Sequence, residues 1–167
     1  MQAVVPLDVR AEHLLDGLYR RHAPAALRFA LMLTGDRALA EDLVHEAFVR
    51  VSAKLDTLRD PAAFAPYLMR AIANLAKSHF RHDAVVTRHA RRSSVVVSVD
   101  PVDVATNDEL LAALRRLPVQ QRAVIVLRYY NDCSYAEIAS VLGIPEGTVK
   151  SQLARGLERL RKEWRDV

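Results

Sequence analysis

The fold class expected is all-α, two small helical domains joined by a flexible linker, and three observations lead to it. Apolar residues recur every three or four positions through most of the 167-residue chain. Only five glycines are present, which favours long helices over many tight turns. The spacing fails in one stretch, from about Asp83 to Thr106, and that break divides the chain. The limits expected are a tail over 1–10, a first domain over 11–83, a linker over 84–106 and a second domain over 107–167.

The first helical block begins near Ala11. Leu14, Leu15, Leu18, Ala26, Phe29, Ala30 and Leu33 have helical spacing, and Pro24 either starts a new segment or kinks a continuous one. Gly35 and Asp36 interrupt the pattern. The next helix turns Val44, Ala47, Phe48, Val51 and Leu55 inward. A loop follows at Thr57 to Pro61, with Asp60 in a capping position and Pro61 as a first helical residue. The third helix carries Phe64, Leu68, Ile72 and Leu75 on its inner face, and Pro66 allows it to begin there. Within the linker, Val95 to Val99 has strand-like composition, but no partner strand exists elsewhere, so extended chain is expected. Asn107 or Asp108 then caps a helix bearing Leu110, Leu111, Leu114 and Leu117. Another follows with the apolar run Ala123 to Leu127.

The stretch from Ser134 to Trp164 has the marks of a helix-turn-helix. Ser134 and Glu137 form a capping box, in which each side chain satisfies the other residue's backbone amide. Ile138, Ala139, Val141 and Leu142 make the inner side of a short helix, and Gly143 supplies the left-handed residue that stops it. In the helix after Pro145, Val149, Leu153, Leu157, Leu160 and Trp164 share one face. Thr148, Ser151, Arg155 and Lys162 point the other way, flanked by Lys150 and Arg159. A short scaffold helix, a tight turn and a helix with a basic-polar outer face suit insertion into a DNA major groove. The residues expected at that duplex are Glu146, Gly147, Thr148, Lys150, Ser151, Arg155 and Arg159.

A second stripe lies on the third helix, where Arg70, Asn74, Lys77 and Arg81 follow one another along one face, with Tyr67 at its edge. Three cations around an amide can hold phosphates while the amide contacts a base edge. From the stripe alone a solvated helix face is equally admissible. The adjoining loop at Leu58, Arg59 and Asp60 forms a junction able to cup an unstacked base. On the second helix, Leu39, Asp42, Glu46 and Val49 lie opposite the inward residues. Apolar groups mixed with carboxylates on an exposed face suit a protein partner with a basic surface.

These segments resemble the bacterial RNA polymerase sigma-70 family. Leu117-Pro118, Gln121-Arg122, Leu127-Arg128-Tyr129, Ser134 to Ala139, Leu142 to Ser151 and Leu153 to Leu157 are similar to its promoter-reading C-terminal domain, region 4. Asp36-Arg37 and Ala40 to Phe48 resemble the segment that binds core polymerase, and Phe64 to Ala76 the region 2 segment that opens and reads the −10 element. Two such domains with a short linker look like an extracytoplasmic-function (ECF, group IV) sigma factor. The resemblance implies core RNA polymerase and promoter DNA as partners, the −35 element in duplex form and the −10 element as a melted strand. It implies a −10 site at Leu58, Arg59, Asp60, Arg70, Asn74, Lys77 and Arg81, and a polymerase-binding face at Leu39, Asp42, Glu46 and Val49. It further implies control by an anti-sigma protein and a linker, with Arg88, Arg91 and Arg92, that runs through a polymerase channel. Tyr67 stands where the family commonly has Trp. The turn at Asn131, Asp132 and Cys133 replaces a more usual glycine-containing one, and Asn131 tolerates the same left-handed conformation.

Other chemistry is not indicated. The six histidines are scattered, and His79, His82 and His89 lie near basic residues that repel a metal ion. A single cysteine, Cys133, forms no internal disulfide, in keeping with a reducing compartment. No phosphate-binding glycine loop or nucleophile turn occurs, so no catalytic residue, metal or cofactor is expected. No run of eighteen apolar residues exists, and Met1 to Arg10 lacks a signal-peptide pattern, so a cytoplasmic protein without membrane insertion is expected. The net charge of +4 is modest, and its placement matters more than its size. Two further readings compete. A stand-alone regulator would dimerise on a palindrome, yet neither a heptad seam nor an effector pocket is evident. A polymerase-sequestering decoy would require the helix-turn-helix to be vestigial.

Overall fold

The computed structural model describes the backbone of residues 7–55, 60–87 and 108–165. The helices in chain order are α1 (Leu7–Thr34), α2 (Arg37–Ser52), a 3-10 turn (Pro61–Ala63), α3 (Phe64–Thr87), α4 (Asp108–Arg116), α5 (Val119–Tyr129), α6 (Tyr135–Leu142) and α7 (Glu146–Arg165). No strand occurs among the described residues. The chain is thus all-α, as its spacing implies. The expected linker residues Arg88, Arg91, Arg92 and Val95 to Val99 lie outside the described residues, as do Leu58 and Arg59.

The N-terminal helices α1, α2 and α3 pack against one another. Their shared centre holds Phe29, Leu33, Phe64, Leu68 and Ile72, all fully buried. Phe48 bridges the aromatic side of this core, with ring centroids 4.8 Å from Tyr19 and 5.7 Å from Phe64. Full burial of each such side chain contributes about 1.5–3 kcal/mol. Gly35, at φ 64°, turns the chain between α1 and α2. Asp36 then caps α2, its carboxylate accepting from the Leu39 amide at 3.1 Å. Asp60 caps the 3-10 turn in the same way through the Ala62 amide at 2.9 Å, with Pro61 first in the turn.

Several local expectations change. The helix α1 takes in residues 7–10 of the expected tail, and α3 runs to Thr87, into the expected linker. Pro24 neither starts nor divides a segment. It is exposed on an unbroken α1, so the carbonyl it leaves unpaired is on the solvent side. Leu14 is 57% exposed rather than inward, because α2 and α3 gather around the later turns of α1. Helix α3 starts at Phe64, which places Pro66 in its first turn, where a missing amide leaves no intrahelical bond unmade.

In the C-terminal half, α5 is central and packs on α7, α6 and α1. Leu114, Val124, Val126, Leu127, Ile138 and Val149 form its fully buried core. The contact between α5 and α7 is close at Gly156, where a Cβ would sit 2.7 Å from Ile125 Cδ1. The left-handed residue after α5 is Asp132, at φ 53°, and not Asn131. The Asn131 amide still bonds Val126 O at 3.2 Å and so closes the helix, leaving the reversal to the next residue.

Candidate nucleic-acid interface

The scaffold of the helix-turn-helix forms as its capping chemistry dictates. The Glu137 amide donates to Ser134 Oγ at 3.2 Å, and the Ser134 amide donates to Glu137 Oε2 at 2.7 Å. Those bonds favour the charged carboxylate and hold Glu137 below the usual glutamate range. Gly143 stops α6 at φ 65°. Pro145 O then accepts the amides of Thr148 and Val149 at 2.9 and 3.0 Å, which starts α7.

On α7 the inner face holds Val149, Leu153 and Leu160 buried, with Leu157 half-buried. The Trp164 side chain lies outside the described residues. Glu146, Gly147, Lys150, Ser151, Arg155, Arg159 and Lys162 are exposed, and Thr148 is half-buried. A Cβ at Gly147 would meet nothing within 4 Å, so the first turn of α7 is open to close approach. Lys150 is steadied from behind. Its Nζ lies 5.6 Å from the Tyr135 ring centroid, and Arg128 Cζ lies 5.4 Å from the same ring. Arg128 also donates to Cys133 O at 3.1 Å, so the ring ties together α5, α6 and α7. Each exposed cation–π contact contributes about 0.5–1 kcal/mol. Burial first, then Glu137 and Asp132, raises the Cys133 thiol pKa, which keeps the sulfur protonated.

The α3 stripe is present as spaced: Arg70, Asn74, Lys77 and Arg81 are all exposed. Its setting is more enclosed than that of a free helix face. On one flank, the end of α2 and α3 form a groove of about 440 Å³, lined by Arg50, Val51, Lys54, Tyr67, Arg70 and Asn74. Tyr67 is 50% exposed there, offering a ring for stacking. The basic contribution of α2 to this groove is not evident from α3 periodicity, because it comes from a helix apart in sequence. Asp60, expected in the −10 set, has its carboxylate engaged by the Ala62 amide.

On α2, Asp42, Glu46 and Val49 are exposed, Val49 by 55%. Leu39 differs from expectation: it is half-buried and packs against the core, at the edge of the α2 face rather than on it. Glu46 pairs with Arg50 one turn on. Beside this face a groove of about 610 Å³ runs between α1 and α2, lined by Tyr19, Leu27, Arg28, Leu31, Asp42 and His45.

A buried guanidinium escaped the periodicity argument. Arg122 is 4% exposed, and its guanidinium donates to Leu33 O, to Arg115 O at 2.7 Å and to Leu117 O at 3.0 Å. Burial, then the neighbouring charge of Arg115, lowers its pKa to about 10, so it stays cationic at neutral pH. The available signal was a charged residue entering the apolar run of α5.

With both faces in place, comparison with known proteins decides the family. Residues 18–85 match the family model for sigma-70 region 2, and residues 107–160 that for sigma-70, region 4. The ECF RNA polymerase sigma factor SigL of Mycobacterium tuberculosis is 38% identical over 160 residues, covering 89% of this chain and 87% of its own. The chain belongs to the sigma-70 family, among its ECF sigma factors. RNA polymerase sigma factor CarQ of Myxococcus xanthus is 31% identical over 156 residues, covering 91% and 90% of the two chains. Among solved structures, the sigma factor RpoE of Bartonella quintana, in complex with the anti-sigma factor NepR, superposes with a TM-score of 0.73 at 25% identity. That superposition covers 88% of this chain and 94% of that one. This sigma factor therefore acts in promoter-directed transcription initiation with core RNA polymerase. Among the described residues, no helix is long and apolar enough to cross a membrane.

Proposed function

We propose that this sigma factor divides promoter recognition between two faces, with the limits and residues anticipated above: region 2 over 11–83, a linker over 84–106 and region 4 over 107–167. The −35 duplex is read by Glu146, Gly147, Thr148, Lys150, Ser151, Arg155 and Arg159. The observation that carries this is the exposed row at the start of α7, set over a buried Val149, Leu153 and Leu160. Arg155 can donate two bonds to a guanine, whereas Lys150, steadied on Tyr135, grips phosphate. The −10 strand lies along Arg70, Asn74, Lys77 and Arg81, with Leu58, Arg59 and Asp60 at the entry to the groove. The carboxylate of Asp60 serves its cap, so its part is to shape the loop.

Core polymerase binds the α2 face at Asp42, Glu46 and Val49, with Leu39 supporting from beneath. The chain is cytoplasmic and carries no catalytic centre of its own. Its solved relative from Bartonella quintana is a complex with an anti-sigma factor, and a protein of that kind restrains this chain as well.

The test is transcription with core enzyme on duplex and premelted templates, read by permanganate footprinting. Arg155→Ala costs about 1–3 kcal/mol and relaxes preference at one −35 position. Asn74→Ala retains polymerase association and −35 recognition but opens the duplex poorly, and a template unpaired at −10 restores activity. Tight sequence-specific binding by the chain alone, as a dimer, replaces this reading with that of a stand-alone regulator.

A further inference from the structure

Along the helices, carboxylates pair with cations one turn away: Asp16 with Arg20, Glu41 with Arg37, Glu46 with Arg50 and Glu158 with Lys162. The last of these pairs lies on α7 itself, at 3.3 Å. Glu146 and Lys150 have the same spacing at the start of α7, in the order of charges that favours pairing. Among the described residues, however, Glu146 forms no ion pair. Lys150 lies instead against the Tyr135 ring, its Nζ 5.6 Å from the centroid. Glu146 is thus an exposed, unpaired carboxylate in the first turn of the helix that also carries Lys150, Arg155 and Arg159.

Such a group is unfavourable on a DNA-binding face unless a donor meets it there, because phosphates repel it. Its neighbour Gly147 presents bare backbone to open space, so the turn can settle deep enough in a groove for a glutamate to reach base edges. An ionised carboxylate only accepts hydrogen bonds. In the major groove, guanine offers two acceptors, and thymine offers one beside its methyl group. Adenine sets its N6 donor next to the N7 acceptor, which repels a second carboxylate oxygen. Cytosine presents its N4 donor and no acceptor of its own.

We propose that Glu146 is a specificity-determining residue that accepts from the N4 amine of a cytosine in the −35 duplex, and that Tyr135 keeps it available by holding Lys150 away. This role rests on the −35 reading proposed above and fixes which base Glu146 demands. The same carboxylate discriminates against other sequences, since a guanine or thymine carbonyl oxygen in that place repels it. Lys150, turned aside by the ring, is left to meet phosphate.

The test uses holoenzyme, the full-length chain with core polymerase, on a promoter first selected from genomic fragments that the wild type transcribes. A pool of that promoter randomised through the −35 element is transcribed, and barcodes in the transcripts are sequenced. Wild type prefers cytosine at one position of one strand by about tenfold or more. Glu146→Ala levels that position, and Glu146→Gln, whose amide bonds both N6 and N7, moves it to adenine. Tyr135→Leu frees Lys150 to pair with Glu146 and weakens the cytosine preference severalfold, whereas Tyr135→Phe keeps the ring and retains it. A uniform fall in output with unchanged preference is the result of a carboxylate that merely favours the start of α7, and it overturns the proposal. Unchanged preference in Tyr135→Leu overturns the part assigned to Tyr135. If Arg155→Ala alters one position while the Glu146 variants alter none, the role of Glu146 falls and the −35 reading stands. Failure of that reading is distinct: no α7 variant, Arg155→Ala included, then alters preference at any position.

Discussion

Around α7 the polar row is aimed by chemistry close in sequence, whereas around α3 the surface is assembled from separate helices. Ser134, Glu137, Gly143 and Pro145 set the angle between α6 and α7, and Tyr135 steadies Lys150 from behind. The α3 stripe obtains one flank of its setting from Arg50 on α2 and Lys54 just after it, and the other flank from α5 and α6. A locally aimed face is pre-organised for a rigid duplex. A face built between elements can be covered and uncovered, which suits a site needed only after polymerase has bound.

That difference is broken most severely at Arg122, a buried side chain that serves both halves. Arg122→Met keeps much of the volume but leaves the carbonyls of Leu33, Arg115 and Leu117 without their donor. The loss expected is on the order of 3 kcal/mol in urea unfolding, with the C-terminal helices melting first. A change below about 1 kcal/mol would mean that apolar contacts alone hold α5 in place.

The same residue marks where sequence reasoning stops. Helical spacing located the cores, because Phe64, Leu68 and Ile72, or Val149 and Leu153, need only their own helix to be placed inward. Capping and turn residues located the helix-turn-helix for a similar reason. Arg122 has no such local warrant: its acceptors include the end of α1, and only the tertiary structure brings them together. Leu39 illustrates a smaller failure of the same kind. It packs against the core, a contact that depends on the neighbouring helices rather than on α2 spacing. The enclosure of Asn74 and Lys77 is equally a property of the assembled halves and of no single helix.

An intermediate effect is expected at the cap. Ser134→Ala removes the acceptor for the Glu137 amide and costs about 1 kcal/mol of thermal stability. It also alters the pH dependence. Glu137 is held below its ordinary pKa in the folded state, so its contribution is present above the unfolded value and is lost as pH falls through the folded one. Wild type should therefore lose stability on acidification below the usual glutamate range more steeply than Ser134→Ala. Parallel curves would show that the box does not organise α6. A matching loss at the N-terminal half's cap, Asp36, would erase the contrast in how the two faces are aimed.

The smallest stability effect is expected on α2, and it separates a folding role from a docking role. Glu46 pairs with Arg50, but the two side chains are 49% and 59% exposed, so water screens the attraction. Glu46→Gln should change the free energy of unfolding by less than about 0.5 kcal/mol. If this face meets a basic surface on core polymerase, the same substitution slows association and flattens its dependence on salt, because a steering charge is gone. Asp42→Arg, one turn earlier, should go further and lose the complex through like-charge contact. Stopped-flow association at several ionic strengths, beside urea melts of the same proteins, measures both quantities. Unchanged association with both variants would move polymerase binding to the groove between α1 and α2, where Leu27 and Leu31 supply apolar contact that is insensitive to salt.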